Sequence, residues 1–198
     1  MVEIHISEIN SFSTCRLLWD WQFRQQLEPK EISPAFLIGL AIHAGLQAYY
    51  DKSGDPVKAV FYYMDSRLGS DKCLVDPWKS HLELAAGMMK HYMLWAPTGY
   101  NSKWPGDAGF EFIDTEREFG YPHNFIGYTG PTLSESVHGA GRIDGVVRRK
   151  SDGSLWIFET KTSSQPAALK KFLPKDRQAG MYMLGMQEYL GQPISGVL

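Results

Sequence analysis

The apolar residues of this chain change their spacing at a loop of residues 97–109 that is rich in Pro and Gly. Before this loop they recur at helical spacing. After it, the segments 110–122, 136–150 and 154–163 alternate or run apolar over strand length. The sequence therefore predicts helices, then a strand meander, then a C-terminal helix, which is an α/β or α+β architecture with a sheet covered by helices.

Helices are predicted on both sides of the strand region. The predicted segments are residues 15–27, 35–52, 57–68, 78–95 and 175–191. Ser11 or Ser13 is a candidate cap for the first of them, and the Asp-Pro pairs at 55–56 and 76–77 open the third and fourth. The 198 residues, 43% of them hydrophobic, suit a single domain at 1–198. We expect a mainly helical part at 1–96 and a sheet core at 110–198.

Charge and cysteine content exclude several classes of protein. The formal net charge is −2, so a nucleic-acid partner would have to be held by a local cationic surface. Cys15 and Cys73 are too few for a disulfide scaffold or a four-cysteine metal site, and they indicate a reducing compartment. The N-terminus lacks the pattern of a signal peptide, and no apolar run has the length of a membrane span. We therefore expect a cytoplasmic protein without a membrane partner.

The segment WIFETKTSS at 156–164 begins as a buried strand and then carries an acid and a base two residues apart. Side chains at i and i+2 of a strand project from the same face, so Glu159 and Lys161 are expected to point together. A turn at residues 150–153 folds this strand against the preceding one, which carries Asp144 near the level of Glu159. Two carboxylates and an ammonium group are therefore predicted to converge in a mostly apolar sheet.

Burying these three charges costs free energy unless a further charge balances them. Asp and Glu oxygens are the ligands that Mg²⁺ and Mn²⁺ prefer, and a bound ion activates water for attack on a phosphodiester. Lys161 would then position that water or bind the phosphate. The alternative is a structural ion pair between Glu159 and Lys161 on a solvated strand face.

Four motifs occur in order along the chain. They are SFSTCRLLWDWQF at 11–23, GLAIHAGLQAYY at 39–50, GRID at 141–144 followed by WIFETKT at 156–162, and Gln178 with Tyr182 in RQAGMY. In this order they resemble the RecB-like exonuclease branch of the PD-(D/E)XK nuclease superfamily. The resemblance implies a restriction-endonuclease-like α/β core, with a central mixed sheet flanked by helices and an N-terminal helical part.

The resemblance also implies roles for individual residues, with Mg²⁺ or Mn²⁺ as the cofactor and DNA as the partner. The implied metal ligands are His43, Asp144, Glu159 and the carbonyl of Thr160. The implied catalytic residues are Asp144, Glu159 and Lys161. Gln178 and Tyr182 would line the DNA path and support the site. Taken alone, a histidine in an apolar helix is more often a core residue, and Gln178 and Tyr182 also fit ordinary helix packing.

Further charged residues border the predicted site. Lys170, Lys171, Lys175 and Arg177 follow it along the chain and are candidates for phosphate contacts, which would give salt-sensitive binding with little sequence specificity. The alternative is that they are ordinary solubilising charges. Glu116 and Glu118, on the strand before Asp144, are expected to form a solvated face, and a role for one of them as an auxiliary carboxylate is the less favoured alternative.

The sequence departs from the RecB-like pattern in two ways. Some relatives build an iron–sulfur cluster from one N-terminal and three C-terminal cysteines, and no cysteine follows Cys73 here, so no such cluster is expected. Cys15 is then expected to be a small buried apolar residue. The chain ends at PISGVL, where the family usually continues into another strand, so a truncated chain and a minimal domain both remain open.

The resemblance favours a metal-dependent DNA nuclease, an exonuclease of recombination, repair or replication that acts alone or with other proteins of those processes. A bacterial or phage setting is what the resemblance suggests. Two alternatives stay open: a catalytically silent DNA-binding or scaffold subunit of a larger complex, and a site-specific endonuclease on the same core.

Overall fold

The computed structural model describes residues 2–30, 32–67, 78–98, 106–123 and 137–198. The helices are α1 (Ile6–Thr14), α2 (Arg16–Trp19), a π-helical turn (Asp20–Arg24), α3 (Pro34–Asp51), α4 (Pro56–Arg67), α5 (Trp78–Trp95), α6 (Pro166–Phe172) and α7 (Arg177–Leu190), with 3-10 turns at Asp107–Gly109 and Leu173–Lys175. Ser33 caps α3 by accepting a hydrogen bond from the N–H of Phe36, with Pro34 in the first turn. No helix in these ranges is both long and apolar enough to cross a membrane.

Five strands form one mixed sheet with β3 at its centre. They are β1 (Val2–His5), β2 (Phe110–His123), β3 (Val137–Arg149), β4 (Leu155–Phe158) and β5 (Ile194–Val197). β2 runs antiparallel to β3 along one edge. On the other edge, β1 pairs parallel with the first part of β3 and β4 pairs antiparallel with the last part, while β5 adds parallel to β4. The predicted fold class, a central mixed sheet flanked by helices, is confirmed.

The middle of β3 differs from a regular strand. β1 pairs with residues 137–140 and β4 with residues 145–148, so residues 141–144 have no strand neighbour on that edge among the described residues. Ile143 and Val146 belong to the same core cluster although they are three residues apart, which strict alternation would not allow. This interruption lies at Asp144 and allows its side chain to turn toward α3.

The two faces of the sheet are covered by different helices. α1 and α7 cover one face, where Ile6, Tyr182 and Met186 pack against Ile143 and Ile157. The opposite face packs against Tyr50 of α3 and Tyr92 of α5 through Phe110, Val147 and Phe158. α3, α4 and α5 share a further apolar cluster of their own. A residue near the middle of β3 is therefore within reach of α3 on one side and α7 on the other.

The strand expected to carry the acid and base is shorter than predicted. β4 ends at Phe158, so Glu159 and Lys161 follow the strand and do not belong to it, contrary to prediction. The cause is a competing acceptor, because the N–H of Thr160 donates to a carboxylate oxygen of Asp144 rather than to a neighbouring strand. The side chains of Glu159 and Lys161 nevertheless point together as expected, with Nζ of Lys161 3.3 Å from Oε1 of Glu159. β1 and β5, each four residues long, were not predicted.

The N-terminal helix also differs from its prediction. The helix predicted over 15–27 is present as α2 continued by the π-helical turn, and it ends at Arg24 rather than at Leu27. α1 was not predicted, and the extended Cys15 (φ −159°, ψ 115°) separates it from α2. Ser11 and Ser13 lie inside α1 and do not cap a helix. Cys15 is exposed, so its predicted burial was wrong. The predicted cap at Asp76-Pro77 falls outside the described residues.

Candidate metal centre

α3 brings His43 to the interrupted part of β3. The Nδ1 atom of His43 lies 3.1 Å from Oδ1 of Asp144 and 3.8 Å from Oε1 of Glu116. One turn earlier, a Cβ atom added to Gly39 would lie 3.1 Å from Oγ1 of Thr162, closer than most such contacts. The glycine therefore lets α3 approach the segment after β4, and this approach places His43 at the site.

Asp144 uses its two carboxylate oxygens to join two parts of the chain. Oδ1 faces His43 of α3, and Oδ2 accepts a 2.6 Å hydrogen bond from the N–H of Thr160. Its side chain is 14% exposed, so the negative charge lies largely out of solvent. Because Thr160 precedes Lys161 directly, the same hydrogen bond also fixes the segment that carries the lysine.

Glu116 reaches the same place from β2. The strand pairs on either side of it place it opposite Asp144, and its φ of 47° lies in the left-handed region, which is rare for residues other than glycine. Its Oε2 lies 3.0 Å from Nε of Arg142. Ligand atoms of His43, Glu116 and Asp144 all lie within 4.8 Å of one another. The expectation of a solvated face therefore holds for Glu118, which is exposed, and was wrong for Glu116.

Glu159 and Lys161 belong to a hydrogen-bond network with α7. Oε1 of Glu159 accepts from Nε2 of Gln178 at 2.9 Å and from Nζ of Lys161 at 3.3 Å. The same ammonium donates to Oε1 of Gln178 at 2.9 Å and lies 3.5 Å from Oδ2 of Asp176. Gln178 also donates to the hydroxyl of Tyr182 at 2.8 Å. Gln178 therefore orients Glu159 and Lys161 together, and Asp176 holds Gln178 by accepting from its N–H.

Burial of several acids in one place shifts their titration. Burial and then the charge of Asp144 raise the pKa of Glu159 to about 7, against the lowering effect of Lys161. Burial also raises the pKa of Glu116, although Arg142 opposes that rise. The hydrogen bond to Asp144 raises the pKa of His43 despite its burial. Burial is thus the main cause of the shifts of the two acids, and the charge of Asp144 adds to the shifts of Glu159, Glu116 and His43.

Most of these groups line one cleft of about 490 Å³, whereas Glu116, Asp176 and Tyr182 lie behind its lining. Its polar lining comprises His43, Arg142, Asp144, Glu159, Thr160, Lys161, Thr162, Ser163 and Gln178. Its apolar lining includes Ala35, Phe36, Leu40 and Leu169. The cleft gives a substrate access to the carboxylates, which a closed core would not.

None of the four basic residues predicted for DNA contacts, all of them within the described ranges, lines this cleft. Lys170 and Lys171 are exposed in the last turn of α6, next to the lining residue Leu169. Lys175 is exposed in the turn that leads into α7. Arg177 donates to Oγ of Ser13 at 3.1 Å and so joins α7 to α1. Tyr182 is buried against the sheet, and burial with the charge of Glu159 raises its pKa to about 12.

The donor set fits a hard divalent cation. Carboxylate oxygens and an imidazole nitrogen, the ligand types that such a cation binds, converge in a partly buried place. Oε2 of Glu159 is buried and has no hydrogen-bond partner among the described residues. A buried carboxylate oxygen without a partner is costly, and a cation would satisfy it. Glu159 is not in the tight group of His43, Glu116 and Asp144, so it borders that group with one oxygen bonded and one available.

Two side chains that matter here were underestimated from the sequence. Glu116 lies in TEREF, whose alternating charges are typical of an exposed strand, and nothing in that pattern reports its left-handed backbone. Asp176 lies in a polar stretch before α7, which carries no sign of a site by itself. Its position two residues before Gln178 is a helix-cap pattern, which was the available signal.

The fold and site together define a class: an α/β domain in which Asp144 of the central strand, and Glu159 and Lys161 of the segment after β4, line one cleft. A family model for the PD-(D/E)XK nuclease superfamily matches residues 4–196, and the chain belongs to that superfamily. Membership implies a metal-dependent nuclease. No curated protein matches the chain at significant similarity.

Proposed function

We propose that this chain is a Mg²⁺- or Mn²⁺-dependent deoxyribonuclease, specifically an exonuclease of the RecB-like type with little sequence specificity. The observation that carries the proposal is the convergence of ligand atoms of His43, Glu116 and Asp144 within 4.8 Å, where His43 and Asp144 line the same cleft as Glu159 and Lys161. The order of sequence motifs supports the RecB-like branch and, with it, a setting in DNA recombination, repair or replication in the cytoplasm of a bacterial or phage-infected cell. Other proteins of those processes are candidate partners.

His43, Asp144 and Glu159 are the proposed protein ligands, together with the carbonyl of Thr160, and Glu116 joins them on the geometry of the site. A bound divalent cation lowers the pKa of a coordinated water and offsets negative charge on the phosphoryl group. The imidazole must be neutral and the carboxylates ionised to bind it, so binding opposes the pKa shifts that this cluster shows without metal.

Lys161 is the proposed catalytic lysine. Its ammonium is held by Glu159 and Gln178 at 3.3 and 2.9 Å, and its side chain is 27% exposed toward the cleft. From that place it donates to a phosphate oxygen or orients the attacking water. Gln178 keeps Lys161 and Glu159 at a fixed separation, and Tyr182 limits the rotation of Gln178 by accepting its second proton.

The test is hydrolysis of end-labelled linear DNA in Mg²⁺ or Mn²⁺ by the wild type, Lys161→Ala and the control Lys90→Ala. Lys90 is an exposed lysine of α5 outside the cleft. We expect Lys161→Ala to lose roughly 10²–10⁴-fold in rate. Lys90→Ala should keep the wild-type rate. Equal rates for Lys161→Ala and the wild type would remove Lys161 from catalysis.

Two further measurements separate the alternatives. Degradation that requires a free end, with closed circular DNA left intact, supports an exonuclease, whereas a ladder from circular DNA would support a site-specific endonuclease. Calorimetric titration with Mn²⁺ tests the metal site without DNA. A wild type that neither binds Mn²⁺ nor cleaves would favour a silent DNA-binding or scaffold subunit.

A further inference from the structure

Arg142 forms its ion pair in an unexpected direction. In the register of β2 and β3 its direct partner is Glu118, and an opposite-charge pair across two strands is the ordinary arrangement. Its guanidinium instead contacts Glu116, two residues away along β2, with Nε 3.0 Å from Oε2. The side chain thus leans along the sheet toward His43 and Asp144 rather than across it.

The ion pair leaves much of the Arg142 side chain exposed. The Arg142 side chain is 55% exposed, whereas that of Glu116 is 14% exposed. Arg142 lines the same cleft as Lys161 and Gln178. With Nε directed at Glu116, the two terminal nitrogens remain as donors, and the planar guanidinium fork matches the oxygens of a phosphate.

Glu116 connects this arginine to the acidic cluster. Its Oε1 lies 3.8 Å from Nδ1 of His43, while Oε2 holds Arg142. Its backbone is left-handed, with φ 47°, and its carboxylate lies between the two groups. One carboxylate therefore serves both groups, and the arginine is held at a set distance from the acids.

We propose that Arg142 binds a backbone phosphate of the DNA substrate in the cleft and that Glu116 is its positioning residue. This inference rests on the proposed function, because it names a substrate contact of the same site. The positive guanidinium offsets the repulsion that phosphate would meet from Asp144 and Glu159. Lys161 then contacts the DNA strand from the segment after β4, and Arg142 contacts it from β3.

The test is the salt dependence of DNA binding. Fluorescence anisotropy with a labelled single-stranded oligonucleotide is measured at several salt concentrations in Mg²⁺. Every protein, including the reference (the background protein), carries Lys161→Ala so that the DNA stays intact. A gel checks that the DNA is not cut. Losing one phosphate contact should reduce the slope of log affinity against log salt by about 0.7 for a single strand. We expect that reduction for Arg142→Gln.

Arg148→Gln is the matched control. Arg148 lies on the same strand, is 45% exposed and pairs with a glutamate of β2, Glu111, at 3.1 Å, but it does not line the cleft. We expect its slope to equal that of the background protein. Arg142→Lys keeps the charge and should also keep the slope. Thermal unfolding of every variant checks that the fold is intact. We expect it to be, because substitutions of exposed residues such as Arg142 usually change stability little.

An unchanged slope in Arg142→Gln would overturn the inference. An equal loss in Arg148→Gln would do the same, since the effect would then be one of general surface charge. A loss in Arg142→Lys as large as in Arg142→Gln would assign the effect to packing and also overturn it. Cleavage by the protein with native Lys161 is scored separately, so failure of the nuclease proposal is recognised by absent hydrolysis and not by these slopes.

Discussion

Replacing Glu159 by glutamine is expected to stabilise the metal-free protein above pH 7 while removing most of its response to metal. The pKa of Glu159 rises from its ordinary value of 4.5 to about 7, chiefly through burial and the charge of Asp144. At 1.36 kcal/mol per pKa unit, ionising this carboxyl in the fold costs about 3 kcal/mol. Its side chain is only 11% exposed, so solvent screening reduces this figure little.

The direction in which stability changes with pH follows from the protons that the folded and unfolded states bind. Between pH 4.5 and 7 the folded protein holds the Glu159 proton and the unfolded chain does not, so the stability of the folded state falls as the pH rises through that window. The amide introduced by Glu159→Gln does not titrate, and its carbonyl oxygen still accepts from Gln178 and Lys161. The variant should therefore match the wild type near pH 4.5 and exceed it by about 3 kcal/mol at pH 8.

The assay is thermal unfolding in a chelating buffer at pH 4.5 and pH 8, then at pH 8 with Mn²⁺. A difference of about 3 kcal/mol in a chain of this size shifts Tm by roughly 6–12 °C. Mn²⁺ should raise the Tm of the wild type and raise that of Glu159→Gln far less, since saturation at 100 times Kd is worth about 2.7 kcal/mol. Glu83→Gln, at an exposed position of α5, controls for loss of charge alone.

The reasoning would be refuted by a Tm of Glu159→Gln at pH 8 no higher than that of the wild type. A gain of equal size at both pH values would refute it as well, because the gain would then not come from ionisation. An equal Mn²⁺ response in both proteins would remove Glu159 from the metal site.

Three further outcomes are expected. Gly141→Ala should lower the free energy of unfolding by about 1–3 kcal/mol in denaturant, because the added Cβ would lie 2.8 Å from Cε1 of Tyr182. Gly87→Ala is the control, since its added Cβ would meet no described atom within 4 Å, and it should be neutral or stabilising. Gln178→Leu should weaken Mn²⁺ binding or the rate of hydrolysis roughly 10–100-fold in calorimetry and kinetics; an unchanged value of both would show that Glu159 and Lys161 need no such support. Tyr182→Phe removes one acceptor from Gln178 and should cost about 1 kcal/mol of stability with most activity kept, which unfolding and rate measurements check.

The sequence predicted the parts of the site that violate an apolar pattern. Asp144, Glu159 and Lys161 stand out because each interrupts a strand-like apolar run, and the turn at 150–153 set their approximate register. The structure brings Asp144 and Glu159 to the same cleft as predicted. Their roles as metal ligands, and that of Lys161 in catalysis, stay predictions that the experiments above address.

Two features lay beyond sequence reasoning because they depend on tertiary competition. β4 ends early because the carboxylate of Asp144 takes the N–H of Thr160, and periodicity cannot report an acceptor on another strand. Glu116 enters the site through a left-handed backbone in the middle of β2, where alternation alone predicts exposure. Both departures lie within the site, where local pattern and final structure most often disagree.

The site draws on both halves of the chain, from His43 in α3 to Gln178 in α7, with β2, β3 and the segment after β4 between them. None of these elements holds the carboxylates, the lysine and their supports by itself. During synthesis, hydrolytic capacity would therefore be withheld until α7 has been made and has docked on the sheet. A partly made or partly unfolded chain would carry these charged residues apart from one another, so the proposed nuclease would be inactive in incomplete copies of the protein.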